Sequence, residues 1–316
     1  MNYLFGIDVG GTNIKIGLFT EKGELLEKNS IKTKKLDDGA YIIGDIASFC
    51  LSLLEKKGIN KKEVLGFGFG IPGPVSNNRV IQAPNIGWKN LDLAKEFQNA
   101  IGFKTIIKLA NDATIAALGE YKEMGLKENI VFITLGTGVG GGIVLDSKAI
   151  EGAHGAGGEI GHIKVEYNHP IQCSCGLYGC LETVASISGI TRIAQELIDE
   201  GKFETTLNKN HLNPKTIFDA ARSGDQLGNE VLNHVSDYIG RACASIAVTV
   251  DPAVFIIGGG ISNAGDTLLN GIEKAYQKYS HYGTIKATFR LAELGNDAGM
   301  YGSAELVRGQ LEWILI

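Results

Sequence analysis

The sequence predicts an α/β protein built as two related lobes, on three observations. Apolar, strand-like runs alternate with segments of helical periodicity along the chain. Twice an apolar strand enters a glycine-rich turn and returns as a second strand: at Ile7-Asp8-Val9-Gly10-Gly11-Thr12, and again from Ile130 to Leu145. Each such unit feeds an α/β run, which suggests an internal duplication despite low residue identity. With 316 residues, 44% hydrophobic and 21% charged, the chain can fill two cores.

The elements follow in order. Tyr3 to Asp8 reads as a strand, Gly10-Gly11 as a tight turn, and Ile14 to Phe19 as the returning strand. Glu24 to Lys32 continues the meander, and Ala40 to Lys57 has helical spacing that stops at Gly58. Val64 to Ile71 is a buried-type strand ended by Pro72-Gly73-Pro74. Leu91 to Ala100 is a helix, Thr105 to Leu109 a strand, and Ala113 to Met124 a helix. The pattern restarts with the strand Ile130 to Leu135, a glycine turn from Gly136 to Gly142 and a return at Ile143 to Leu145. Helices are expected at Ile187 to Glu200, Gln226 to Val250 and about Gly265 to Tyr279, with strands at Ala253 to Ile257 and near Lys286 to Leu291. A last helix begins at Gly299. The expected division is a smaller lobe of 1–112, joined by a C-terminal helix of about 299–316, and a larger lobe of 113–298.

Composition excludes several classes. A net charge of −5 with only short basic runs, such as Lys32 to Lys35, gives no nucleic-acid footprint. The start of the chain enters a strand directly, without the pattern of a signal peptide, and the apolar run Ala242 to Val250 is too short to span a bilayer. The expectation is a soluble, cytoplasmic protein with no nucleic-acid or membrane partner. Of five cysteines, Cys50 and Cys243 stand alone in apolar helical patterns and read as buried small hydrophobes.

Three glycine turns follow apolar strands: Asp8 to Asn13, Leu135 to Gly142 and Ile257 to Ser262. Glycine lets backbone N–H groups converge on a ligand, and such nests favour anions, phosphate above all. None is a Walker A loop, and each alone reads equally well as a plain hairpin turn. Three in one chain, one preceded by Asp8, point to a nucleotide site. Asn111-Asp112 ends a strand and opens a helix; locally it reads as a helix cap, and it also offers a carboxylate favoured by the helix dipole. Cys173-x-Cys175-x4-Cys180 lies downstream of His162. Three thiolates and an imidazole make a tetrahedral zinc set with no open position, a structural site. A disulfide or a redox pair fits this spacing and setting less well.

Taken together, Asp8-Val-Gly-Gly-Thr-Asn13, Gly70-Ile-Pro-Gly-Pro74, Ala83-Pro-Asn85, Asn111-Asp112, Leu135 to Gly142, Gly157-Gly-Glu-Ile-Gly-His162, Cys173 to Glu182 and Gly258-Gly-Gly260 resemble, in this order, the ROK family (repressors, open reading frames and sugar kinases). The resemblance covers nearly the whole chain. It implies two actin-like (ribonuclease H-like) lobes with a cleft between them, in the sugar kinase, Hsp70 and actin superfamily. It implies an ATP-dependent hexokinase-type enzyme, with glucokinase foremost and N-acetylmannosamine or another hexose or hexosamine as alternative substrate. Asp112 matches the catalytic base. Gly73, Asn85, Asn111, Asp112, Glu159, His162 and Glu182 match sugar contacts. Asp8, Gly10, Gly11, Thr12, Thr137, Gly138, Gly259 and Gly260 match the ATP site, with Asp8 orienting Mg²⁺. The Cys-x-Cys-Gly-x-x-Gly-Cys-x-Glu motif is intact and implies structural Zn²⁺ on His162, Cys173, Cys175 and Cys180. The family also implies a homodimer or homotetramer.

A sugar-responsive repressor is the competing class. Such repressors carry an N-terminal winged helix-turn-helix, and here the first glycine turn starts at Asp8, which favours catalysis.

Overall fold

The computed structural model describes residues 1–314, with side chains to residue 311. These divide into two compact units. The first holds residues up to Leu126, Lys148–Gly158 and the chain from Asn296 onward; the second holds Lys127–Ser147 and Glu159–Gly295. The expected division at 112/113 differs from this partition. The helix Asp112–Glu123 belongs with the first unit because it packs directly on the helix Ala298–Ile314, where Gly119 and Gly302 let the two backbones touch.

The first unit is built on a sheet of β1 (Tyr3–Val9), β2 (Asn13–Thr20), β3 (Leu25–Lys32), β4 (Val64–Ile71) and β8 (Ile106–Asn111), in the order β3-β2-β1-β4-β8. β1 and β2 pair antiparallel around the Gly10-Gly11 turn, and β4 and β8 run parallel to β1. Both faces are covered, so β1 and β4 read as continuous apolar runs with no polar alternation. On one face the helices Ile42–Lys57 and Leu93–Ile101 close an aromatic core in which Phe67 stacks on Phe5 (4.9 Å) and meets Phe97 edge-on (5.0 Å). Cutting Phe67 to alanine would cost about 3–5 kcal/mol. Gly58 ends the helix at 57 in a left-handed cap, as its sequence position predicts. On the other face lies Ala298–Ile314. Its backbone sits so close to the sheet that a Cβ on Gly6 or Gly68 would run into the carbonyls of Met300 and Ser303. The Ser303 hydroxyl seals that contact by donating to Ile7 O at 3.0 Å or Gly299 O at 2.7 Å. Residues 315 and 316 of the expected helix lie outside the described residues.

Between β4 and β8 the chain forms a small three-stranded sheet, β5 (Val75–Ser76), β6 (Arg79–Ala83) and β7 (Trp88–Leu91), where the sequence reading had no element and began a helix at Leu91. That helix starts at Leu93 because the Asp92 side chain caps it, accepting from Lys95 N–H.

The second unit repeats the plan. β9 (Ile130–Leu135) and β10 (Val139–Leu145) pair antiparallel, the strand Val254–Gly258 runs parallel to β9, and Thr288–Leu291 runs parallel to it in turn. The duplication expected from the two glycine turns is present in the topology. The second turn is shorter than expected: Gly140, Gly141 and Gly142 sit within β10, paired with Thr134, Ile133 and Phe132. The helices Gln226–Val250 and Asp266–Tyr279 pack together, with Gly240 against Ala275, and Phe255 stacks on Phe289 at 5.1 Å. Cys50 and Cys243 are fully buried, as their apolar patterns imply. A helix at Pro214–Arg222, opened by Asn213 as cap, completes this unit. Among the described residues no helix is long and apolar enough to cross a membrane.

Candidate active site

In the first unit the register brings the expected residues to one end of the sheet. Asp8 pairs with Gly70 and Ile71 with Asn111, so Asp8, the Ile71-Pro72-Gly73 segment and Asn111-Asp112 lie at the carboxyl ends of three adjacent parallel strands. Strands are about 4.8 Å apart, and this end of an open α/β sheet is where ligands bind. The turn after Asp8 is fixed by Gly10 N–H donating to Asn13 O (3.1 Å) and by Thr33, whose hydroxyl donates to Gly10 O (2.6 Å) and whose N–H donates to Thr12 O (3.0 Å). Thr12 is exposed, and Gly11 lies beside Lys35 and Asn85. Burial raises the Asp8 carboxyl above its usual range; Lys15, whose Nζ is 3.9 Å away, opposes this, and Asp297 adds to it.

Asn111 is the cap of the helix Asp112–Glu123: its Oδ1 accepts from the N–H groups of Ala113 (2.9 Å) and Thr114 (3.3 Å). Its Nδ2 donates to Gly73 O at 3.3 Å, tying the capped helix to the Pro-Gly-Pro turn. Gly73 is required there, because a Cβ would strike the Gln82 carbonyl. Asp112 is the first helical residue, half-buried, with Oδ1 accepting from Ala113 N–H at 2.8 Å. The cap and the carboxylate are thus two residues with two jobs. Asn111 supplies the cap, and Asp112 follows it in the first turn of the helix. Asn85 is exposed in the single turn Pro84–Ile86.

In the second unit the two remaining glycine turns also share a sheet end, since Gly258 pairs with Thr134 in parallel. Gly259 has a left-handed φ of 83° and sits against Leu135, locking the turns together. Gly260 faces open space and lines a cavity of about 320 Å³ with Pro214, Phe218, Arg222, Ile261 and Ala264. Thr137 and Gly138 form the tip of the other turn. Glu182 lies against it, with Oε2 accepting from Val139 N–H at 3.2 Å.

His162, Cys173, Cys175 and Cys180 place their ligand atoms within 4.8 Å of one another. The geometry fits a tetrahedral zinc. Bond lengths of about 2.3 Å to sulfur and 2.0–2.1 Å to nitrogen require S···S near 3.8 Å and S···N near 3.6 Å. Cys175 and Cys180 are 3.8 Å apart, and Cys173 Sγ is 3.6 Å from His162 Nδ1. Burial pushes the Cys173 thiol up to about 11, whereas the Leu177 backbone N–H holds Cys175 below its usual value. A cation is what would make all the sulfurs thiolates together. Lys164 Nζ donates to Cys180 Sγ at 3.0 Å, where its charge would offset that of metal-bound thiolates. With Nδ1 turned to the sulfurs, His162 presents Nε2 to Glu159, 3.8 Å away.

A model of the ROK family matches residues 4–310. The chain belongs to the ROK family. Its curated relatives include a glucokinase of Halalkalibacterium halodurans, 41% identical over 96% of this chain and 94% of the relative. A glucokinase of Streptomyces coelicolor is 34% identical over 98% of each chain. The solved structure of a ROK family glucokinase from Streptomyces griseus, in complex with glucose and AMPPNP, superposes with a TM-score of 0.75 at 30% identity, over 98% of this chain and 100% of that one. The two units are therefore the actin-like repeats of a ROK sugar kinase.

Some residues of this ROK chain stand at the site without having been singled out in the sequence. Lys15 pairs with Asp8 across the hairpin, and counting register outward from the turn would have found it. Arg222 and Phe218 reach the cavity beside Gly260 from a helix whose Asn213-Pro214 opening was a readable start signal. Ser174, between two of the cysteines, gave no signal of its own.

Proposed function

We propose that this ROK protein is an ATP-dependent glucokinase, converting glucose to glucose 6-phosphate with Asp112 as general base. The observation that carries the reading is the placement of Asp112 at the carboxyl end of β8, two strands from Asp8, in a chain so similar over its whole length to glucokinases. Asp112 takes the proton of the 6-hydroxyl as its oxygen attacks the terminal phosphorus, and ADP leaves with the electron pair of the broken P–O bond. Asn111, by capping the helix and holding Gly73, keeps that carboxylate oriented. Gly73, Asn85, Asn111, Glu159, His162 and Glu182 carry groups suited to be directional partners for sugar hydroxyls.

The Gly10-Gly11-Thr12 turn offers backbone N–H groups suited to phosphate, as do Thr137 and Gly138, and the cavity at Gly260, next to Gly259, suits the nucleoside. Mg²⁺ held on the phosphates near Asp8 supplies charge neutralisation. Zinc on His162, Cys173, Cys175 and Cys180 is structural, and His162 carries its influence to the sugar through the ring nitrogen it does not use. The same reading carries a cytoplasmic location and a homodimer or homotetramer.

A coupled assay decides the matter. Glucose with ATP should give the highest kcat/KM among glucose, mannose, fructose and N-acetylmannosamine, with polyphosphate a poorer donor. A preference for the N-acetylated sugar overturns the substrate, and sequence-specific DNA binding without turnover overturns the enzyme.

A further inference from the structure

The cysteine loop and the turn Gly136–Gly138 meet at one side chain. Glu182 Oε1 accepts from Ser174 Oγ at 2.9 Å, and its Oε2 accepts from Val139 N–H at 3.2 Å. The peptide unit joining Gly138 to Val139 is therefore held on both sides, because Gly138 O accepts from Gly136 N–H at 2.9 Å. Gly136 O is taken in turn by Ile187 N–H at 2.9 Å. Of the four N–H groups from 136 to 139, two are taken within the chain. Those of Thr137 and Gly138 have no acceptor among the described residues. Gly138 shows how tight the contact is: its φ needs no glycine, yet a Cβ there would press on the Glu182 carboxylate.

An N–H nest binds an anion only when its donors converge, and one flipped peptide replaces a donor with a carbonyl oxygen. A charge-assisted bond from a carboxylate prevents that flip. We propose that Ser174 and Glu182 form a strut through which the cysteine loop fixes the shape of this turn, making Ser174 a positioning residue for the nucleotide. Ser174 lies between Cys173 and Cys175, so the loop that gathers the thiols also sets its hydroxyl. The inference deepens the kinase reading and rests on residues 136–138 holding phosphate.

The test uses the zinc-loaded protein and two readouts, ADP binding by calorimetry and KM for each substrate. Ser174→Ala should keep its zinc and its melting temperature and bind ADP about 3- to 10-fold more weakly, with a matching rise in KM for ATP. Ser174→Thr, which keeps the hydroxyl, should restore ADP binding. Unchanged ADP affinity in Ser174→Ala, whether or not KM for glucose moves, overturns the strut. Thr137→Asp tests the foundation by placing a carboxylate in the turn, and it should abolish ADP binding. If it binds ADP normally, the phosphate reading of the turn falls with it; if it loses ADP while Ser174→Ala does not, only the strut falls.

Discussion

The first two glycine turns hold the same place in their sheets and differ in what surrounds them. Each joins an antiparallel pair whose first strand also has a parallel neighbour. Just before the first turn Asp8 stands opposite Lys15; at the matching place before the second, Thr134 stands opposite Gly140. The first turn is braced by a neutral hydroxyl, that of Thr33, and the second by a carboxylate, that of Glu182. The backbone was duplicated and the charges were not. A half-buried carboxylate beside the first turn suits a metal-bound phosphate, and bare N–H groups at the second suit the anion itself. In each copy of the hairpin, sheet register therefore fixes position and leaves the side chains to vary.

That contrast can be broken by experiment. Asp112→Asn removes the charge that completes the acidic end of the first sheet, and kcat should drop about a thousandfold with glucose binding retained. Near-normal turnover would remove Asp112 from the chemistry. Asp8→Asn should lower kcat about a hundredfold and raise the Mg²⁺ requirement. It should also melt higher than the parent at neutral pH. Burial raises the Asp8 carboxyl above 3.8, so the folded chain keeps that proton to higher pH than the unfolded chain. Stability then falls as pH rises from about 3.8 through the folded value, and asparagine removes that loss. A gap in melting temperature that widens toward low pH would reverse the argument. Stripping the metal should lower the melting temperature by about 5–10 °C and weaken glucose binding, read by calorimetry before and after zinc is returned. Unchanged glucose affinity in the metal-free protein would uncouple His162 from the sugar. Gly260→Ala, with open space around it, should shift stability by less than about 0.5 kcal/mol and raise KM for ATP a few fold.

The sequence showed most of the frame because the sheets are buried on both faces and leave long apolar runs. Gly58, Asp251-Pro252 and the paired glycine turns marked their boundaries by known backbone chemistry. The gathering of His162, Cys173, Cys175 and Cys180 was legible because ligand type and spacing signal such a cluster almost alone. Short strands were not: β5 has two residues, too few for a period, although Asn77-Asn78, both at positive φ, was a hairpin signal left unread. Gly140 to Gly142 hid a strand, because glycine propensity points to a turn and only pairing with β9 overrides it. Site geometry that depends on contacts distant in sequence, such as Glu182 on Val139, is set by packing and has no local pattern to read.

The helix Ala298–Ile314 lies on a sheet whose first strand begins at Tyr3. A nascent chain therefore cannot cover this sheet until residues 298–314 have left the ribosome, and until then Gly6 and Gly68 mark an uncovered groove. A premature stop just before Ala298 would leave every expected ligand of sugar, phosphate and zinc encoded, and would still yield a chain that is cleared by proteolysis before it can act.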